Sequence, residues 1–139
     1  VLRVEYRKYA IANPLSVAES IQILSPAVQK FLLQDKALYI LYQQGEAALE
    51  TQEKELQEVF SEGLLKLVQQ ETVENIAPEV AEVHRAQERQ RLLQEITKEI
   101  DGKNRLKELE NALREARAVG DKDQEKKLLE EFVRLSRAQ

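Results

Sequence analysis

The sequence contains no cysteine, methionine or tryptophan, and only four glycines and three prolines occur among its 139 residues. Without cysteine, the chain has neither disulfides nor thiolate metal sites. The scarcity of glycine and proline, together with 33% charged residues, favours long helices over turn-rich β structure. No run of alternating apolar and polar residues suggests a strand. The composition therefore predicts an all-α protein.

Long apolar runs are also missing. No stretch approaches the roughly 20 apolar residues that a membrane helix needs, and no signal peptide opens the chain. We therefore expect a cytoplasmic protein that does not contact a membrane. Because the chain starts with Val1 and contains no methionine, we also expect it to be one domain of a longer polypeptide.

Charge is distributed unevenly, although the net charge is only -4. Residues 46–100 contain thirteen acidic residues against six basic ones, whereas residues 101–139 contain nine against ten. An acidic middle repels a phosphate backbone, and the basic residues near the end alternate with acidic ones. We therefore expect little or no direct nucleic-acid binding by this chain.

Proline marks the starts of the first helices. Asn13-Pro14 interrupts the opening helix and starts a second one, and Ser25-Pro26 repeats the pattern. The stretch that follows is apolar nearly all round, which is typical of a buried helix. We expect one helix over residues 27–44, at the centre of the core, ended by the glycine that follows it. The next helix is amphipathic, and its apolar stripe consists of Leu56, Val59, Phe60, Leu64, Leu67 and Val68.

The second half of the chain begins with a long helical pattern. From Glu79 to Val119 only Gly102 interrupts a helix-favouring sequence. We expect a long helix here, kinked or broken near that glycine. Its apolar residues fall into two groups spaced by three or four residues: Leu92, Ile96 and Ile100 before the glycine, and Leu106, Leu109 and Leu113 after it.

The chain ends on a second, shorter helix. Gly120 can take the left-handed conformation that ends a helix, and Asp121 can cap the next one, with Gln124 completing a capping box. A loop this short makes neighbouring helices antiparallel. The predicted fold is an all-α, multi-helix globular subdomain at residues 1–100, then a long helix and a C-terminal antiparallel helical hairpin at residues 101–139.

No arrangement of side chains predicts catalysis. The sequence has no phosphate-binding glycine loop, no nucleophile elbow and no carboxylate pair in an apolar setting. His84 is the only histidine, and Glu88 follows one helical turn later, but two ligands alone make a weak metal site. We expect no catalytic residues, no metal and no cofactor.

The last helix has a wider apolar face than one neighbouring helix can cover. Leu128, Phe132 and Leu135 cluster, and Leu129 and Val133 extend the face to about 160°. Leu129 and Val133 either pack on the core or bind another protein, and we favour the second interpretation. The preceding helix offers Leu106, Leu109, Leu113 and Ala116 to the shared seam.

The chain resembles the C-terminal, helicase-interacting domain of bacterial primases of the DnaG type. The likeness is carried by "AIANPLSVAESIQIL", by "FLLQDKALYILYQQG", by the long helix from about Pro78 and by the closing "RAVGDKDQEKKLLEEFVRLSRAQ". Gly102 is a departure, because the corresponding helix is usually continuous. The N-terminal domain of the replicative helicase has a similar helical core and hairpin, but a linker and an ATPase domain would follow there, whereas "SRAQ" looks like a chain end.

The resemblance implies a non-catalytic docking role. Such a domain binds the primase to the N-terminal collar of the hexameric replicative helicase of the DnaB type, as part of the primosome. It keeps primer synthesis at the replication fork and can modulate the helicase ATPase and unwinding. The nucleotidyl transfer that makes the primer belongs to other domains of the parent primase.

The closing hairpin is the expected helicase contact. We expect Leu129, Phe132 and Val133 to be the apolar anchors, with Arg117, Arg134 and Arg137 as a polar rim. Three other interpretations stay open: the N-terminal domain of a replicative helicase, an unrelated helical adaptor or self-association module, and a nucleic-acid-binding accessory domain.

Overall fold

The computed structural model describes residues 1–138. Within this part of the chain every regular element is helical and no strand is present, so the prediction of an all-α protein is confirmed. The α-helices are α1 (Leu2–Ala12), α2 (Val17–Gln22), α3 (Pro26–Leu33), α4 (Lys36–Gln44), α5 (Lys54–Val73), α6 (Pro78–Val119) and α7 (Lys122–Ala138). Two 3-10 helices, Pro14–Ser16 and Gly45–Glu50, lie between them.

The chain separates into two compact units, Val1–Thr97 and Lys98–Gln139. The first unit contains α1 to α5 and the beginning of α6, and the second contains the rest of α6 together with α7. Within residues 1–138, seventeen hydrophobic residues are buried in the first unit and three in the second. The first unit therefore has a core of its own, and the second has very little.

The core of the first unit is built around α1, α4 and α5. Tyr6 and Tyr9 on α1 are almost fully buried, and burial raises the pKa of the Tyr6 hydroxyl to about 12. Helix α1 lies so close to α5 that a Cβ atom at Gly63 would stand 2.8 Å from Cδ1 of Ile11. The other large side chains that are fully buried in this unit are Ile21, Leu32, Leu38, Leu41, Leu67, Val17, Val28, Leu92 and Ile96.

The single helix expected over residues 27–44 is wrong, because α3 and α4 are separate helices. Asp35 lies between them and caps α4, since its Oδ1 accepts hydrogen bonds from the amides of Ala37 and Leu38 at 3.0 and 3.2 Å. Its other carboxylate oxygen pairs with Arg7 at 2.9 Å. An aspartate with these partners stabilises a helix start better than a helix interior.

The long helix is unbroken at Gly102. Helix α6 is assigned as one element of 42 residues that includes this glycine, so the predicted break is wrong. One glycine inside a helix costs about 1 kcal/mol relative to alanine, which a helix of 42 residues accommodates.

In the second unit α7 runs back along the end of α6. Arg105 pairs with Glu131 at 2.8 Å, and Arg117 pairs with Glu125 at 2.8 Å. Because the later residue of α6 pairs with the earlier residue of α7, the two helices are antiparallel. The buried residues of this unit are Leu109, Leu113 and Ala116 on α6, and the least exposed residues of α7 are Glu125, Leu128, Glu131, Phe132 and Leu135.

The turn between α6 and α7 is stabilised at both ends. Gly120 adopts the left-handed conformation (φ 73°), its amide donates to the Arg117 carbonyl, and the Asp121 amide donates to the Ala116 carbonyl at 3.0 Å. These two amides provide hydrogen-bond donors to carbonyls in the last turn of α6, which would otherwise lack a partner in the helix. Asp121 Oδ1 accepts from the Gln124 amide at 3.1 Å, so the aspartate caps α7 as the sequence predicts.

Candidate docking surface on the last helix

An exposed apolar surface remains on α7 beside its contact with α6. Leu129 and Val133 are 43% and 40% exposed, and their spacing of four places them on one side of the helix. Three basic residues and a serine lie within the same arc of about 100°. We call this set the α7 face; it consists of Lys122, Lys126, Leu129, Val133, Ser136 and Arg137, all of which are exposed.

Phe132 lies outside the α7 face. It is half-buried and shares the three- and four-residue spacing of Leu128 and Leu135, the residues that α7 turns toward α6. Of the three anchors expected from the sequence, the structure exposes Leu129 and Val133 and uses Phe132 in the α6–α7 seam.

The three arginines expected at the rim lie in three different settings. Arg117 donates a hydrogen bond of 2.8 Å from Nε to Glu125 and so holds the turn between the helices. Arg134 follows Val133 directly, about 100° further round the helix, where it lines a shallow depression together with Lys127 and Glu130. Only Arg137, four residues after Val133, lies on the α7 face.

Two basic residues of the α7 face were not expected from the sequence. Lys122 and Lys126 precede Leu129 by seven and three residues, so they lie on the same side of α7. The spacing that identified Leu129 and Val133 would also have identified these lysines. Within residues 1–138, no ion pair engages Lys122, Lys126 or Arg137.

The first unit also carries exposed apolar residues on α5. Leu64 and Val68 are 43% and 46% exposed, although the sequence places both in the apolar stripe of that helix. Leu65 is 56% exposed. This α5 surface belongs to a unit that already has a substantial core, whereas the α7 face belongs to one that does not.

Buried polar groups lie close together around His84. Its Nδ1 is buried and has no hydrogen-bond partner within residues 1–138, and the neighbouring Glu71 is paired with Arg85. These residues lie beside a cleft of about 350 Å³ whose lining includes Val68 and Ile76. Among residues 1–138, no group of three or more histidine or carboxylate side chains is placed to hold a metal ion.

No helix within residues 1–138 is long and apolar enough to cross a membrane. No protein-family model, no curated protein and no solved structure shows a significant match to this chain.

Proposed function

We propose that this chain is the non-catalytic docking domain of a bacterial primase and that it binds the N-terminal collar of the hexameric replicative helicase. The order of elements supports this proposal. Five short or medium helices and the beginning of the 42-residue helix α6 form the first unit, and the rest of α6 forms the second unit with α7. This is the arrangement that the resemblance to DnaG-type primases implies.

The observation that carries the proposal is the incomplete packing of the second unit. Only three of its hydrophobic residues are buried within residues 1–138, while Leu129 and Val133 remain exposed on α7. Two helices alone bury too little apolar surface to be stable in water. A partner that covers the α7 face supplies the missing packing and stabilises the hairpin in the same step.

Docking is a role that requires no catalytic group. The chain holds the primase beside the helicase in the cytoplasm, so that primers are made where the template strand is exposed. Because the contact is with the collar of the hexamer, its free energy can bias the arrangement of the collar and thereby change ATP hydrolysis and unwinding. The primer bond itself forms in other domains of the parent protein.

The alternatives predict different behaviour in solution. A self-association module forms oligomers when the chain is alone, and a helicase N-terminal domain assembles into rings. A docking domain of a primase remains a monomer until the hexamer is added. Sedimentation velocity of the chain alone therefore separates these alternatives before any partner is tested.

Amide hydrogen exchange in the presence of the cognate helicase tests the proposal on the intact chain. Residues 122–138 should exchange quickly in the free chain, because the second unit has few buried contacts, and should become protected when the hexamer is added. Amides around Leu64 and Val68 on α5 provide the internal control and should not change. Protection confined to α5, or no protection at all, would contradict docking through α7.

A further inference from the structure

We infer that the α7 face recognises an amphipathic α-helix whose apolar stripe is bordered by aspartate and glutamate side chains. The inference rests on the proposed function, since it describes the helicase surface that this face would contact. It goes further by stating the chemistry of that surface. Three features carry it: the sign of the charges around Leu129 and Val133, the absence of ion pairs to those charges within residues 1–138, and the shape of the exposed strip.

The charges on the α7 face all have one sign. Lys122, Lys126 and Arg137 border Leu129 and Val133, and no acidic residue lies within the arc. The adjacent side of α7 carries both signs: Asp123, Lys127, Glu130 and Arg134. The α7 face is therefore the only side of this helix on which every charge is positive within residues 122–138.

The acidic residues at the two edges of the α7 face, Glu125 and Glu130, form no ion pair with its cations within residues 1–138. Glu125, at one edge of the arc, pairs with Arg117 at 2.8 Å, and Glu131 pairs with Arg105 at 2.8 Å. Glu130, at the other edge, lies in the depression that Lys127 lines. The three cations of the face have no ion pair within residues 1–138, so acidic groups on a partner would not have to break an existing ion pair of α7.

The shape of the surface favours a helix as the occupant. Leu129 and Val133 form a narrow strip along α7, and a third helix can pack its own apolar ridge against such a strip. A helix satisfies its backbone hydrogen bonds internally, whereas an extended segment laid on leucine and valine would bury unpaired amides. The aliphatic stems of Lys122 and Lys126 widen the apolar area while their ammonium groups reach the rim.

Nucleic acid and lipid fit the surface less well. A phosphate backbone would contact the cations but would leave Leu129 and Val133 uncovered. A membrane surface normally takes a wider apolar face that contains aromatic residues, and the α7 face has none. An acid-bordered helix covers both the apolar strip and the cations.

A charge-reversal pair on adjacent lysines tests the inference with the helicase. Lys126→Glu places a negative charge on the α7 face, and Lys127→Glu makes the same change in net charge on the other side of the helix. With the cognate hexamer at low salt, Lys126→Glu should lower the association rate constant by about threefold to tenfold. This decrease in the association rate constant should become smaller at high salt. Lys127→Glu should associate with the hexamer as fast as the unmodified chain does. Equal effects of the two changes would overturn the inference.

Two synthetic helical peptides separate this inference from the identity of the partner. Both carry the same leucine stripe, which is flanked by glutamates in one and by lysines in the other. The intact chain should bind the glutamate-flanked peptide about tenfold or more tightly than the other, and Leu129→Glu with Val133→Glu should remove that binding.

The combined outcomes distinguish the two proposals. If the chain prefers the glutamate-flanked peptide but does not bind the helicase, the charge inference stands and the helicase assignment fails. If the helicase binds but the peptides are bound equally, the docking proposal stands and the charge inference fails. Tighter binding to vesicles of anionic phosphatidylglycerol, or to single-stranded DNA, than to the glutamate-flanked peptide would also overturn the charge inference.

Discussion

Arg85 on α6 donates two hydrogen bonds of 2.7 Å to Glu71 on α5, from Nε to Oε2 and from Nη2 to Oε1. Glu71 is only 8% exposed, and it is the one charged residue that is buried within residues 1–138. A planar guanidinium that meets both oxygens of a carboxylate is among the stronger polar contacts in proteins. This pair joins the end of α5 to the beginning of α6 inside the first unit.

The Glu71–Arg85 pair predicts a pH dependence of stability. Hydrogen bonding to Arg85 lowers the pKa of Glu71 below its ordinary value of 4.5. A carboxylate with a lowered pKa in the folded state adds stability above the unfolded pKa and loses it as the pH falls through the folded pKa. At pH 7, Glu71→Gln should lower the free energy of unfolding by about 1 to 3 kcal/mol, and the difference should shrink at acidic pH.

Urea unfolding followed by circular dichroism, at neutral pH and below pH 4, measures this difference. Glu58→Gln is the matched control, because Glu58 is an exposed glutamate on the same helix. It should have little effect at either pH. If Glu71→Gln lowers the free energy of unfolding equally at both pH values, the ion pair with Arg85 is not the cause of the destabilisation.

The close approach of α1 and α5 predicts an unusual response at Gly63. Replacing a glycine in a helix interior by alanine normally gains about 1 kcal/mol. Here the new Cβ would lie 2.8 Å from Cδ1 of the buried Ile11, so Gly63→Ala should yield no gain or a loss. Ile11→Val removes Cδ1, and in that background Gly63→Ala should become stabilising. A double-mutant cycle of unfolding free energies measures the coupling, and additive effects would contradict the predicted clash.

Substitutions in the core of the first unit should destabilise the chain much more than substitutions on the α7 face. Leu41 on α4 is fully buried, and Leu41→Ala should cost about 2 to 5 kcal/mol of unfolding free energy. Leu129 is 43% exposed, so Leu129→Ala should cost much less in the free chain. Chemical unfolding of both variants gives the comparison. Equal losses would mean that the two units unfold as one cooperative structure.

The helix boundaries that could be predicted are those set by residues with special backbone properties. Pro26 and Pro78 start helices, and Gly45 and Gly120 end helices with positive φ angles of 59° and 73°. The boundary at Asp35 is missed because the apolar pattern continues through it and because Arg7, which holds its second carboxylate oxygen, lies 28 residues earlier in the chain. The first four positions follow from local chemistry, whereas Asp35 combines a local cap with a tertiary ion pair.

Burial was harder to predict than helix formation. The predicted apolar stripe of α5 includes Leu64 and Val68, which the structure leaves exposed. The spacing of apolar residues shows which side of a helix is apolar, but it does not show how many neighbouring helices cover that side. On α7 the excess of apolar residues was visible in the sequence, as were the positions of Leu129 and Val133. The pairing of Arg117 with Glu125 was not, since it depends on how closely the two helices meet across their turn.

The affinity of the chain for the cognate helicase hexamer tests docking through the α7 face most directly. Two double variants with the same chemistry and closely matched exposure are compared: Leu129→Glu with Val133→Glu on α7, and Leu64→Glu with Val68→Glu on α5. Each must first retain the helical circular dichroism of the unmodified chain. The α7 variant should raise the dissociation constant by about 100-fold or more, because apolar anchors in a desolvated centre carry most of the binding free energy. The α5 variant should leave it nearly unchanged. If the unmodified chain does not bind the hexamer, or if the α7 variant binds it as tightly as the α5 variant does, the chain does not dock through this face.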